Sequence, residues 1–74
     1  MTLVQVENGK IVRLLSIQGG RGLHQKLSQL GLTPGDSVRI LRHAPLGGPI
    51  LVDADGRSVA LGRGVASKVI VEEM

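Results

Sequence analysis

The sequence predicts a mainly β fold, a small barrel of about five short strands with one short α-helix. Three observations lead there. Val, Ile and Leu recur in short alternating runs, the pattern of half-buried strands. Turn signals follow one another closely, at Asn8-Gly9, Pro34-Gly35 and Asp55-Gly56. Only one segment, with Leu23, Leu27 and Leu30, carries apolar residues at helical spacing.

Each element can be read in turn. Leu3 to Val6 suits a short edge strand, and Asn8-Gly9 a turn that a type I′ hairpin would fit. Ile11 to Ile17 is the next strand. Gln18 to Gly22 is a Gly-rich connection, and a helix follows over about Leu23 to Leu30. Gly31 stands where a helix needs a left-handed residue to stop, and Leu32 supplies the usual apolar contact beyond it. Pro34-Gly35 fits the centre of a type II turn, where Pro pre-sets φ and Gly accepts φ > 0. Val38 to Arg42 is a strand, with Val38 and Ile40 alternating around Arg39. Ala44 to Pro49 is a loop of residues poorly suited to a sheet interior. Pro49 to Val52 opens another strand, and Asp55-Gly56 turns the chain into Ser58 to Leu61. Arg63 to Ser67 reads as a short turn or one 3₁₀ turn, and Lys68 to Glu72 closes the sheet. So short a helix must pack on the sheet to persist.

Seventy-four residues make one domain, residues 1–74, that buries only about 60–65% of its unfolded surface. With no Cys, Phe, Trp or Tyr, the core must be aliphatic, and neither a disulfide nor a thiolate metal site can form. The start at Met1 and the acidic end are those expected of a whole protein. Thr2 to Val6 is too short and polar for a secretion signal, and no run approaches a membrane span, so a cytoplasmic location without membrane insertion is expected. The net charge is +3, but the nine Lys and Arg residues are scattered rather than gathered in a tail. That distribution favours a solvated surface over a nucleic-acid footprint.

No catalytic constellation is visible, and the chain reads as a non-enzyme with no cofactor. His24 and His43 have no ligand spacing, and Asp53 and Asp55 suit a hairpin turn, so no metal site is assigned. Gly19-Gly20-Arg21-Gly22 and Gly62-x-Gly64 lack the remaining residues of phosphate or dinucleotide loops. The best functional candidate is Pro45-Leu46-Gly47-Gly48-Pro49, which sets one apolar side chain on a rigid loop. If Leu46 is exposed beside Leu23 and Leu27 of the helix, the three would form an apolar patch for a partner; if it folds back, it lids the barrel. Self-association stays open.

Two motifs carry a family resemblance: Leu30-Gly31-Leu32-Thr33-Pro34-Gly35, and Ala44-Pro45-Leu46-Gly47-Gly48-Pro49 after one strand. At this spacing the chain resembles the ferrous iron transport protein A family, FeoA, over nearly its whole length. It departs at Leu61-Gly62-Arg63, where the family more often has Ala-Leu-Arg. The resemblance implies an SH3-like barrel that supports ferrous iron uptake. The implied partner is the cytoplasmic, GTP-hydrolysing part of the FeoB transporter, met through the helix and the Ala44 to Ile50 loop. An alternative is that Pro34-Gly35-Asp36-x-Val38-Arg39-Ile40 resembles KOW-type segments, which implies a basic barrel binding RNA. The fold also resembles the C-terminal domain of metal-dependent repressors, but the chain has no DNA-reading helix. Without aromatic residues, neither a proline-ligand groove nor base stacking is available.

With no Cys and no spaced His and carboxylate set, the isolated chain should not hold Fe(II) tightly. Anaerobic calorimetry should find no stoichiometric site of sub-micromolar affinity.

Overall fold

The computed structural model describes residues 1–74. Five strands make one antiparallel sheet: β1 (Ile11–Ile17), β2 (Ser37–His43), β3 (Ile50–Ala54), β4 (Arg57–Leu61) and β5 (Val69–Glu73). Helix α1 (Arg21–Gln29) joins β1 to β2, and a one-turn helix α2 (Arg63–Ala66) joins β4 to β5. The spatial order is β4-β3-β2-β1-β5, so β1 to β4 form a meander and β5 returns beside β1. Register shifts between Leu14 and Ser16, and between Ile40 and Arg42, bend the sheet. The curled result measures 29 × 26 × 23 Å, nearly equal in all directions, as an SH3-like barrel should be.

Seventeen buried residues, all aliphatic, fill the barrel. Alternation decides which they are. In β1, Val12, Leu14 and Ile17 point inward; in β2, Val38 and Ile40; in β3, Ile50, Val52 and Ala54. No polar residue is buried, so the core contains no side-chain hydrogen bond to satisfy.

The N-terminus departs from the strand expected at Leu3 to Val6. Leu3–Gln5 is a 3₁₀ turn, closed by Gln5 N–H to Thr2 C=O at 3.0 Å and by Thr2 N–H to the Gln5 Oε1 at 2.8 Å. The physical reason lies in the core. A strand would send Leu3 and Val6 to opposite faces, whereas a 3₁₀ period of three puts both on one side, and both are buried. His43 fixes the arrangement by donating from Nε2 to the Val6 carbonyl at 2.7 Å. With no strand before it, the Asn8-Gly9 turn has no hairpin to match. Gly9 has φ +85 while Asn8 keeps an ordinary φ, so the turn is not type I′.

Helix α1 begins two residues before Leu23, because the Gly20 carbonyl accepts from His24 N–H at 3.2 Å. Its end is a complete Schellman stop. Leu32 N–H donates to Leu27 C=O at 2.8 Å, Gly31 N–H donates to Ser28 C=O at 2.9 Å, and Gly31 has φ +83. Leu27 and Leu32, on either side of the stop, are both buried. Arg57 of β4 lies across Gly31 and donates from Nη2 to Leu30 C=O at 3.2 Å. The Thr33–Asp36 turn follows, with Asp36 N–H to Thr33 C=O at 3.1 Å and Gly35 at φ +98. The Asp36 carboxylate accepts from the Thr33 hydroxyl at 2.8 Å and from the Thr33 N–H at 3.0 Å. Asp55-Gly56 is the two-residue hairpin expected, with φ +53 and +84 as type I′ requires. The segment after β4 contains an α-helical turn, Arg63–Ala66, rather than a 3₁₀ one. Gly62 caps it at φ −59, a conformation open to any residue, with no atom near the place of a Cβ. The departure at that position therefore leaves the turn unaffected.

Two outcomes follow for stability. Gly31→Val would strain a left-handed residue by about 1–2 kcal/mol and also drive Arg57 away from its carbonyl. Its denaturation midpoint should fall well below that of a surface change such as Gln25→Ala. The Thr33 hydroxyl, and then its N–H, hold the Asp36 pKa below its ordinary 3.8. A carboxyl depressed on folding stabilises the fold above its unfolded pKa and loses that contribution as pH falls through the folded value. Asp36→Asn should therefore lower stability at neutral pH and make acid melting curves flatter below about pH 4.

Candidate partner-binding site

The loop between β2 and β3 is built by residues that leave little choice of path. Ala44 N–H donates to Pro49 C=O at 2.9 Å across its base, and Gly48 N–H donates to Pro45 C=O at 3.1 Å across its tip. Between Pro45 and Gly48, Leu46 and Gly47 have φ +59 and +73. Two successive positive φ values under such a bond make a type I′ turn, whose first central position suits Asn, Asp or Gly. Leu is strained there by about 1 kcal/mol. A Cβ on Gly48 would meet the Ala44 Cβ at 2.8 Å and Pro45 O at 3.1 Å, so only Gly closes the tip.

This geometry ejects Leu46. Its side chain is 104% exposed, the extreme value among the large apolar residues of the chain. Pro45, Gly47 and Pro49 are exposed beside it, and Gly48 is half-buried. The lid reading is thereby excluded, because Leu46 covers nothing. The other two leucines of the expected patch sit differently. Leu27 is 0% exposed and belongs to the core, so it holds α1 down and cannot offer its side chain to a partner. Leu23 is half-buried, packed against the core below the helix. Sequence spacing put Leu23 and Leu27 on one face correctly; that face is turned inward.

The neighbour of the loop is α2. The Arg63 side chain passes under Gly47, its Nε 3.9 Å from where a Cβ would stand. That Nε is buried and has no hydrogen-bond partner. Reading the sequence one residue at a time missed Arg63, since only the return of β4 to the start of β3, with Ile50 opposite Leu61, brings it to the loop.

Elsewhere, His24 donates from Nε2 to Ile17 C=O at 3.1 Å, and His43 is engaged with Val6. No three His, Asp or Glu side chains gather in a way that could hold a metal ion. One open groove of about 600 Å³ lies at the opposite end of β3 and β4, lined by Asp36, Arg39, Asp53, Asp55 and Arg57 among others. Two of these are already committed, Asp36 to Thr33 and Arg57 to Leu30 C=O. No element carries more than two of the basic residues. No helix is long and apolar enough to cross a membrane.

Comparison with known proteins gives a consistent placement. The FeoA domain model matches residues 1–73. A protein described as Fe(2+) transport protein A from Methanocaldococcus jannaschii is 31% identical over 71 residues, covering 96% of this chain and 84% of its own. The crystal structure of an iron uptake regulatory protein, FeoA, superposes with a TM-score of 0.89 at 32% identity, covering all of this chain and 96% of that one. The manganese regulator SloR contains the same fold within a longer chain, with a TM-score of 0.89 at 26% identity and 34% of its length covered. The chain belongs to the FeoA family of SH3-like domains, which is associated with ferrous iron transport.

Proposed function

We propose that the chain is a non-enzymatic docking module of ferrous iron uptake, and that it engages the cytoplasmic, GTP-hydrolysing part of a FeoB-type transporter through the β2–β3 loop. One observation carries this reading: a fully exposed Leu46 on a turn whose backbone favours Asn or Gly. A strained, unpacked leucine lowers the stability of the isolated domain at both levels, backbone and solvation. The arrangement becomes favourable when a second surface covers it. Pro45, Pro49 and the two turn hydrogen bonds have already ordered the loop, so little entropy is lost on docking. Docking at this site would act on the transporter's assembly or its nucleotide cycle. The half-buried Leu23 lies at the margin of such a contact, and Leu27 supports it from the core.

Leu46→Asp separates docking from folding. Asp tolerates left-handed φ and removes no buried contact, so the melting temperature should stay level or rise, by up to about 1 kcal/mol of stability. Burying a leucine is worth about 1.5–3 kcal/mol, so binding to the full-length transporter in nanodiscs should weaken at least about tenfold. An intact fold with undiminished binding would remove the loop from the interface, and an unfolded variant would show that Leu46 is structural.

A further inference from the structure

Arg63 is the polar half of the same docking site. We infer that Arg63 receives a carboxylate from the partner, so that the surface recognised on this chain is a leucine beside a guanidinium and its complement is an apolar socket edged by an Asp or Glu. The inference rests on the docking role of the loop and adds the chemistry of what docks there.

Three observations converge on it. The Arg63 Nε is buried without any hydrogen-bond partner, although the core of this protein otherwise contains no unsatisfied polar side-chain atom. A buried N–H with no acceptor destabilises the fold that holds it, and an acceptor brought by a partner relieves that loss. Next, Arg63 lies directly under Gly47, the residue after Leu46, and the absence of a Cβ at Gly47 is what leaves it room. The guanidinium and the exposed leucine are therefore presented together. Finally, the charge around them has one sign. Residues 42–52 and 58–71, which supply the loop, the adjoining strands and α2, contain Arg42, Arg63 and Lys68 and no Asp or Glu. The carboxylates Asp36, Asp53 and Asp55 are gathered in the groove at the other end of β3 and β4. An acidic partner segment is attracted to one end of this molecule and repelled from the other, which sets its orientation before contact.

Arginine suits this task better than lysine. Its Nε–H and one Nη–H form a planar fork that meets both oxygens of a carboxylate. With the stem packed under the loop, the fork is already held in place.

The test compares Arg63→Met, Arg63→Lys and Leu46→Asp for binding to the full-length transporter in nanodiscs, across a salt series, alongside thermal melts. Arg63→Met should weaken binding about tenfold or more and flatten its salt dependence. It should melt no lower than the unaltered protein, because it removes an unsatisfied group and keeps the apolar stem. Arg63→Lys should bind between the two, since it keeps the charge and loses the fork. Wild-type affinity and salt dependence in both Arg63 variants, with binding still lost in Leu46→Asp, would overturn the role of Arg63 and leave the docking reading standing. If Arg63→Met unfolds, Arg63→Lys decides alone, and wild-type binding in it overturns the fork. Undiminished binding in Leu46→Asp overturns the docking reading and this inference with it. Self-association abolished by Arg63→Met while transporter binding persists would assign the site to a second copy, and overturns the inference as well.

Discussion

Helix α1 has to end within a residue of Leu30, because Leu27 and Leu32 must enter the same core from either side of Gly31. Five residues separate them, and only a reversal of the backbone brings both inward. Left-handed Gly31 supplies it, and the two Schellman bonds hold it. The rest of the barrel depends on that reversal. It delivers the chain to the Thr33–Asp36 turn, where Gly35 N–H donates to Leu14 C=O and Leu14 N–H donates to Asp36 C=O, both at 2.8 Å. Those bonds set β2 against β1. Since β2 pairs next with β3, the register of the whole meander follows from where the helix stops. Arg57 closes the circuit from β4, reaching the last turn of the helix from the opposite edge of the sheet.

Much of this was legible because it is local. Gly31, Gly35 and the Asp55-Gly56 pair announce their turns by needing φ > 0, and every strand from β1 onward is readable from alternation. The same holds for the loop: two prolines around two glycines define a rigid excursion, and Leu46 is the one side chain in it with no evident packing. What escaped depends on distance along the chain. A four-residue apolar segment such as Leu3 to Val6 does not distinguish period two from period three. The choice was made by core geometry and by His43, thirty-seven residues away. The first turn of α1 was missed for a different reason, since its cap is the backbone of Gly20 and carries no side-chain signal. Helical spacing correctly grouped Leu23 and Leu27 but not which way that face turns. A face of leucines on a nine-residue helix belongs to the core first, because so short a helix persists only by burying it.

The two arginines show how one residue type serves opposite ends of the barrel. Arg57 is held by a carbonyl acceptor within its own fold, and its function is exhausted in closing the helix. Arg63 is equally well positioned, but the fold gives its Nε no acceptor. A domain of 74 residues with no aromatic residue and no disulfide has about 4–11 kcal/mol of stability in all. Against that scale, a leucine in a left-handed turn and a buried, unpaired N–H, about 1–2 and 1–3 kcal/mol respectively, are not small. Both could be removed by single substitutions that the surrounding structure accommodates. They occur at one spot, in contact through Gly47, on the end of the molecule without carboxylates. Independent defects would have no reason to coincide there. A surface that is completed only in a complex would collect them in one place, since the same contact that covers Leu46 brings an acceptor within reach of Arg63 and offsets both terms together.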